Sequence, residues 1–124
     1  MNVERQVEYW RESAVDDLEA AALLVEKEKI NQSLFFAHLA LEKALKALVC
    51  RATRSTPLPI HDLSKLAERS EMGFSPEQMN LLDQVSRFQL RGRYELPARP
   101  LLPKGGAGEV FSRIRELVLW LISL

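Results

Sequence analysis

The chain has 124 residues, a hydrophobic content of 47% and a charged content of 27%, values that fit one globular domain with a sizeable core and exclude a disordered or fibrous chain. Seventeen basic residues balance seventeen acidic ones, which excludes coating of nucleic acid by bulk charge and leaves only local electrostatic recognition. Cys50 is the only cysteine, so an intrachain disulfide or a cysteine zinc cluster is impossible and a reducing cytoplasm is the expected setting.

The N-terminus, Met1-Asn2-Val3-Glu4-Arg5, lacks the features of a signal peptide, and the longest apolar run, Leu117 to Ile122, is too short to span a bilayer. Val3, Val7, Trp10, Ala14, Leu18, Ala21 and Val25 recur at steps of three and four. They predict a long amphipathic first helix that ends in the charged run Glu26 to Lys29. Asn31 or Ser33 is expected to cap the second helix, which runs to about Ala52, where Thr53, Ser55, Thr56, Pro57 and Pro59 break it.

The second helix is the most informative segment. Leu34, His38, Leu41, Leu45 and Leu48 form one stripe, and Ala37, Ala40, Ala44 and Ala47 form a flatter one beside it. Small residues at this spacing admit a second helix closely, so the segment is placed centrally in a bundle or at a subunit contact. Glu42, Lys43 and Lys46 interrupt the apolar surface. The plain reading of Glu42 and Lys46 is a surface i,i+4 pair contributing a few tenths of a kcal/mol. His38 reads as a buried histidine bonded to a neighbour such as Glu42, and its nearness to Lys46 allows a polar pocket.

A short third helix is expected from His61 to about Ser70, with Leu63, Leu66 and Ala67 inward and Gly73 closing it. His61 itself is expected to cap or hydrogen-bond at the start of that helix, with contact to a ligand as the alternative. Ser75-Pro76-Glu77 starts a fourth helix that buries Leu81, Leu82, Val85 and Phe88 and ends at Gly92. Glu95 to Gly108, with three prolines and three glycines, reads as an irregular loop. The last helix runs from about Glu109 to Ser123 and presents Val110, Ile114, Leu117, Val118 and Leu121. No strand alternation or repeat is visible, so the expected fold is all-α: one domain, an antiparallel up-and-down bundle of four main helices with one short additional helix.

Trp10, Ala14 and Asp17-Leu18, then Phe36-Ala37-His38 leading into Glu42-Lys43-Ala44-Leu45-Lys46-Ala47, then His61-Asp62-Leu63 and Arg93-Tyr94, form an ordered set over nearly the whole chain. This set resembles the HEPN domain family. The resemblance implies a helical bundle, commonly a homodimer, linked to nucleotide or RNA chemistry and often paired with a small nucleotidyltransferase in prokaryotic toxin and antitoxin systems. It also implies where ribonuclease members keep their chemistry: an arginine four to six residues before a histidine, at the start of a late helix. The corresponding region here, Arg87 to Phe111, contains no histidine. Arg54 and His61 bracket six residues, Ser55 to Ile60, but lie between the second and third helices with two prolines inside. Ribonuclease activity of the usual HEPN kind is therefore not expected.

Arg87, Arg91, Arg93, Arg99 and Lys104 fall in a stretch with one acid, Glu95. Arginine forks onto phosphate and Tyr94 stacked on a base would make this a nucleotide or RNA surface, joined by His61 and Lys46. The alternative is that the arginines pair with acids of neighbouring helices and Tyr94 plugs the bundle end. Lys104-Gly105-Gly106-Ala107-Gly108-Glu109 could offer helix-start amides to phosphate, but it follows no strand and carries an opposing acid, so flexible linkage is the better reading. No metal-site spacing, cofactor motif or framed nucleophile is present. Three functions stay open: a non-catalytic module that binds a nucleotidyltransferase and, through Arg91, Arg93 and Tyr94, a nucleotide or RNA; a metal-independent endoribonuclease using Arg54 and His61; and a structural oligomerisation scaffold.

Overall fold

A computed structural model describes residues 2–94 and 106–124, with side chains described through Arg87 and again from Gly106. Five helices follow one another: α1 (Val3–Glu26), α2 (Ile30–Thr53), α3 (Leu63–Arg69), α4 (Pro76–Tyr94) and α5 (Gly106–Ser123). No strand occurs among the described residues. The fold is the all-α arrangement that the periodicity implies, four main helices and one short one, with α1 and α2 antiparallel across a tight turn.

Each helix begins and ends for local reasons. Asn2 starts α1 by accepting the backbone N–H of Arg5 at 3.0 Å, and the left-handed Glu28 (φ 60°) turns the chain at its end. Ser75 and Gln78 form a reciprocal capping box on α4, with Ser75 Oγ accepting from the Gln78 amide at 3.1 Å and Gln78 Oε1 accepting from the Ser75 amide at 2.9 Å. Pro76 then occupies the first helical position, where its missing N–H costs nothing.

Four boundaries differ from the sequence expectation. Neither Asn31 nor Ser33 caps α2; the helix starts at Ile30 after Lys29 with no side-chain cap, and Ser33 Oγ instead donates to the Ile30 carbonyl at 2.6 Å. Asp62, not His61, caps α3, its Oδ1 accepting from the amides of Ser64 (3.0 Å) and Lys65 (3.2 Å). Helix α4 continues through Gly92 to Tyr94, since a lone glycine weakens a helix by only about 1 kcal/mol and does not end it. Helix α5 begins at Gly106, three residues before Glu109, so the expected loop gives up its last glycines to helix. The rest of that loop, residues 95–105, lies outside the described residues.

Helix α2 is the axis of the bundle and contacts every other helix. Its alanines 37, 40 and 44 are 1% exposed or less and face a core that includes Ala14, Leu18 and Ala21 of α1. Leu41 and Leu45 are fully buried with Leu63, Leu66, Leu82 and Ile114 from the remaining three helices. Burying each such side chain contributes about 1.5–3 kcal/mol. Helix α3 is further tied to α4, because Ser64 Oγ donates to Asp83 Oδ1 at 3.1 Å.

Two stability outcomes follow from these positions. Leu45→Ala removes a side chain shared by the whole core and should cost about 2–5 kcal/mol in chemical denaturation. Glu71 holds a left-handed backbone (φ 62°) just past α3. Glu71→Gly should therefore stabilise by roughly 1 kcal/mol, read as a rise of about 3–5 °C in Tm.

Candidate functional site

Helical periodicity places His38, Glu42 and Lys46 one turn apart on one line of α2. The line points into the bundle: His38 is fully buried, Glu42 is 4% exposed and Lys46 is 6% exposed. Glu42 holds the group together. Its Oε2 accepts from Lys46 Nζ at 3.0 Å, and its Oε1 lies 2.9 Å from Nδ1 of His61 and 3.7 Å from Nδ1 of His38. Lys46 Nζ also stands 5.4 Å from the centroid of the Trp10 ring on α1, a cation–π arrangement.

His61 reaches Glu42 because the α2–α3 connection folds back to α2, with its own Pro57 buried and Asp62 taking the capping of α3. Its side chain is 46% exposed, so the ring joins a buried carboxylate to solvent. A carboxylate only accepts, so with Glu42 ionised it is Nδ1 of His61 that donates to Oε1.

The Glu42–Lys46 pair is therefore not the surface pair that its spacing suggested. A buried ion pair gains little over an apolar replacement, but removing one partner strands a charge and costs about 3–5 kcal/mol. Glu42 is the residue whose weight sequence reasoning underestimated. The signal was available in part, since an acid flanked at i−4 and i+4 by His38 and Lys46 sits on an otherwise apolar stripe. The bond to His61, nineteen positions away, had no sequence signal.

Lys43 points elsewhere. Its Nζ lies 2.7 Å from Asp17 Oδ2 and 2.8 Å from Ser13 Oγ, pinning α1 to α2. Arg54, in a left-handed conformation at the end of α2 (φ 55°), bonds Glu4 Oε1 at 3.2 Å on the exposed surface. A backbone hydrogen bond first, and then Arg54, hold the Glu4 carboxyl below the usual range. Burial pushes the Cys50 thiol up, with Arg54 pulling the other way, so Cys50 stays a protonated, unreactive thiol at neutral pH.

Of the residues singled out in the sequence, Lys46 and His61 meet on the two oxygens of Glu42. Arg54 and His61 do not meet within one chain. Arg54 lies twelve residues beyond Glu42, about 18 Å along the helix axis, and its guanidinium is engaged by Glu4. Arg91, Arg93 and Tyr94 belong to the last turn of α4; their side chains lie outside the described residues, as do Arg99, Lys104 and Gly105. Arg87, one turn earlier, is exposed. No cluster of three or more metal-ligating side chains occurs among the described residues, and no described helix is long and apolar enough to cross a membrane.

Coupling inside the buried group is measurable. Glu42→Leu and Lys46→Met should each destabilise by about 3–5 kcal/mol, and the double variant should recover most of that loss. Additive losses in urea denaturation would show that the two charges do not depend on each other.

The family model described as "HEPN domain" matches residues 7–123. Among solved structures, the crystal structure of TT1696 from Thermus thermophilus superposes with a TM-score of 0.80 at 20% sequence identity, over 99% of this chain and 98% of that one. At that identity the likeness shows the fold. No curated protein matches the sequence. With the family model spanning all five helices, the chain belongs to the HEPN domain family.

Proposed function

We propose that this HEPN domain protein is a non-catalytic recognition module: a homodimer that pairs with a small nucleotidyltransferase in a toxin–antitoxin-like system and binds nucleotide or RNA phosphate. The observation that carries the non-catalytic reading is the separation of Arg54 from His61. The first is held by Glu4 at one end of α2, and the second by Glu42 near its middle. Metal-independent RNA cleavage needs an acid and a base converging on one phosphodiester, and each of these side chains is drawn to a different carboxylate.

Lys46 acts inside this module as a structural cation, since its ammonium is shared between Glu42 and Trp10. Phosphate contact then falls to the basic end of α4, where Arg87, Arg91 and Arg93 follow one another beside Tyr94. A neutral chain with one basic segment binds phosphate locally, with a modest dependence on salt.

A second reading is favoured by one feature, the Glu42–His61 bond. A buried carboxylate that holds the Nδ1 side of a half-exposed histidine is also how a general base is oriented. In that reading His61 would serve an endoribonuclease whose arginine comes from the other subunit.

The two readings separate on one assay. Under the first, purified protein binds single-stranded RNA without cutting it, and Arg93→Ala weakens binding and lowers the salt slope by about one. Co-expression with a nucleotidyltransferase encoded beside it should give a complex that survives purification. Cleavage that disappears in His61→Ala would establish the second reading instead.

A further inference from the structure

Helices α4 and α5 meet in an open cleft of about 250 Å³ that the buried cluster does not use. Buried Leu81 and Leu117 form its apolar floor, the indole of Trp120 joins them, and exposed Glu77, Arg113 and Glu116 stand around it. Trp120 is 39% exposed and is braced edge to face by Phe74 at 6.2 Å between centroids. Exposed apolar side chains scattered singly are ordinary, but clustered ones mark a contact surface. Leu119 and Leu124 join Trp120 within one short stretch, and these three are half of the large apolar side chains left exposed among the described residues.

The charges around the indole are unmatched. Lys43, Lys46 and Arg54 each have a carboxylate partner within the chain, whereas Glu77, Arg113 and Glu116 make no ion pair with a described residue. Arg113, Glu116 and Trp120 follow at steps of three and four, so they share one face of α5. An anion entering the cleft would meet two carboxylates, and a free cation would meet Arg113 in the same place. A face that offers a guanidinium, two carboxylates and an indole instead complements itself, which is what a twofold contact requires, since each copy receives what it gives. Arg113 and Trp120 are two turns apart, about 10 Å along α5. A twofold axis crossing α5 midway between them sets each arginine opposite the tryptophan of the other copy.

We infer that the α4–α5 cleft is the face on which a second copy of the chain docks, with the two α5 helices antiparallel. The guanidinium of Arg113 from one copy lies over Trp120 of the other, within reach of that copy's Glu77 and Glu116, and the contact is made twice. A guanidinium on an indole face is a favourable cation–π arrangement, and a carboxylate beside it adds a charge-assisted hydrogen bond. Leu119 and Leu124 supply apolar area next to the charged contact. The inference rests on the proposed homodimer and deepens it by naming the surface and the pairing that sets its register. Arg87 lies about 15 Å further along α4 than Glu77, so the basic end of that helix stands away from the contact.

Sedimentation equilibrium of the full chain over a range of concentrations tests the face, and the wild-type chain should be a dimer. Arg113→Glu and Glu116→Arg each bring like charges together twice per dimer and should each raise the dissociation constant at least about 10-fold. The chain carrying both reversals exchanges the two roles and should recover most of that loss, as a direct pairing requires. Trp120→Ala should weaken the dimer as well. Both reversed positions are exposed, so these variants should melt like the wild-type chain. A dimer indifferent to all three single substitutions would overturn the face while leaving the homodimer reading intact. Losses confined to Trp120→Ala, or not recovered by the double reversal, would overturn the reciprocal contact. A monomeric wild-type chain would remove both the inference and the homodimer. A monomer whose complex with a nucleotidyltransferase is lost in Trp120→Ala would assign the cleft to that partner and overturn the inference.

Discussion

A carboxylate inside a helical bundle must have both oxygens matched, and Glu42, 4% exposed at the middle of the central helix, imposes that condition on much of this molecule. One oxygen takes Lys46 from the next turn of the same helix, and the other takes His61 from the connection to α3. The first bond keeps the lysine tucked in and places its ammonium over Trp10 of α1. The second draws the α2–α3 connection back across α2. Three segments of chain are thus held in register by one acid, and α2 could not be replaced by a uniformly apolar helix without releasing two of them.

The helices were legible because their apolar residues repeat at helical spacing and their punctuation is strong. Ser75-Pro76 opens α4 as its chemistry requires, and the alanine stripe of α2 lies in the core shared with Ala14 and Ala21 of α1. Boundaries were less legible where two residues compete for one role. Asp62 outdoes His61 as a cap because a carboxylate can accept two amides at once, and only then is the histidine released to meet Glu42. Gly92 does not stop α4 because a single glycine costs a helix less than its neighbours contribute. The candidate site was legible in its members and not in their connection. His38, Glu42 and Lys46 are visible as one line on a helix, but the energy of that line depends on burial, which turns a pair of a few tenths of a kcal/mol into one whose disruption costs several.

Burial also sorts the basic residues by what they are able to do. Lys43 is engaged by Asp17, Lys46 by Glu42 and Arg54 by Glu4. Each of these cations has its charge matched within the chain, and two of them join α1 to α2 or to its end. Recognition of an anion needs cations whose charge is not already matched, and exposed Arg5 and Arg87 stand on different helices. A protein with zero formal net charge can therefore still address phosphate, at places decided by which pairs the fold has already made.

The same sorting bears on chemistry. Catalysis by a histidine and an arginine requires that both aim at one point, and the fold opposes this within a chain by giving each a carboxylate of its own. The two carboxylates differ in how firmly they hold. Glu4 is 76% exposed in its side chain, so its bond to Arg54 is screened by water and easily released, whereas Glu42 is 5% exposed and its partners are held against a desolvation penalty. Arg54 can leave its partner readily, but His61 cannot be taken from Glu42 without uncovering a buried charge. A role for His61 must accordingly be one performed in place, with Nδ1 on the carboxylate. A histidine fixed in this way serves equally as a contact to a bound partner or ligand and as an oriented general base.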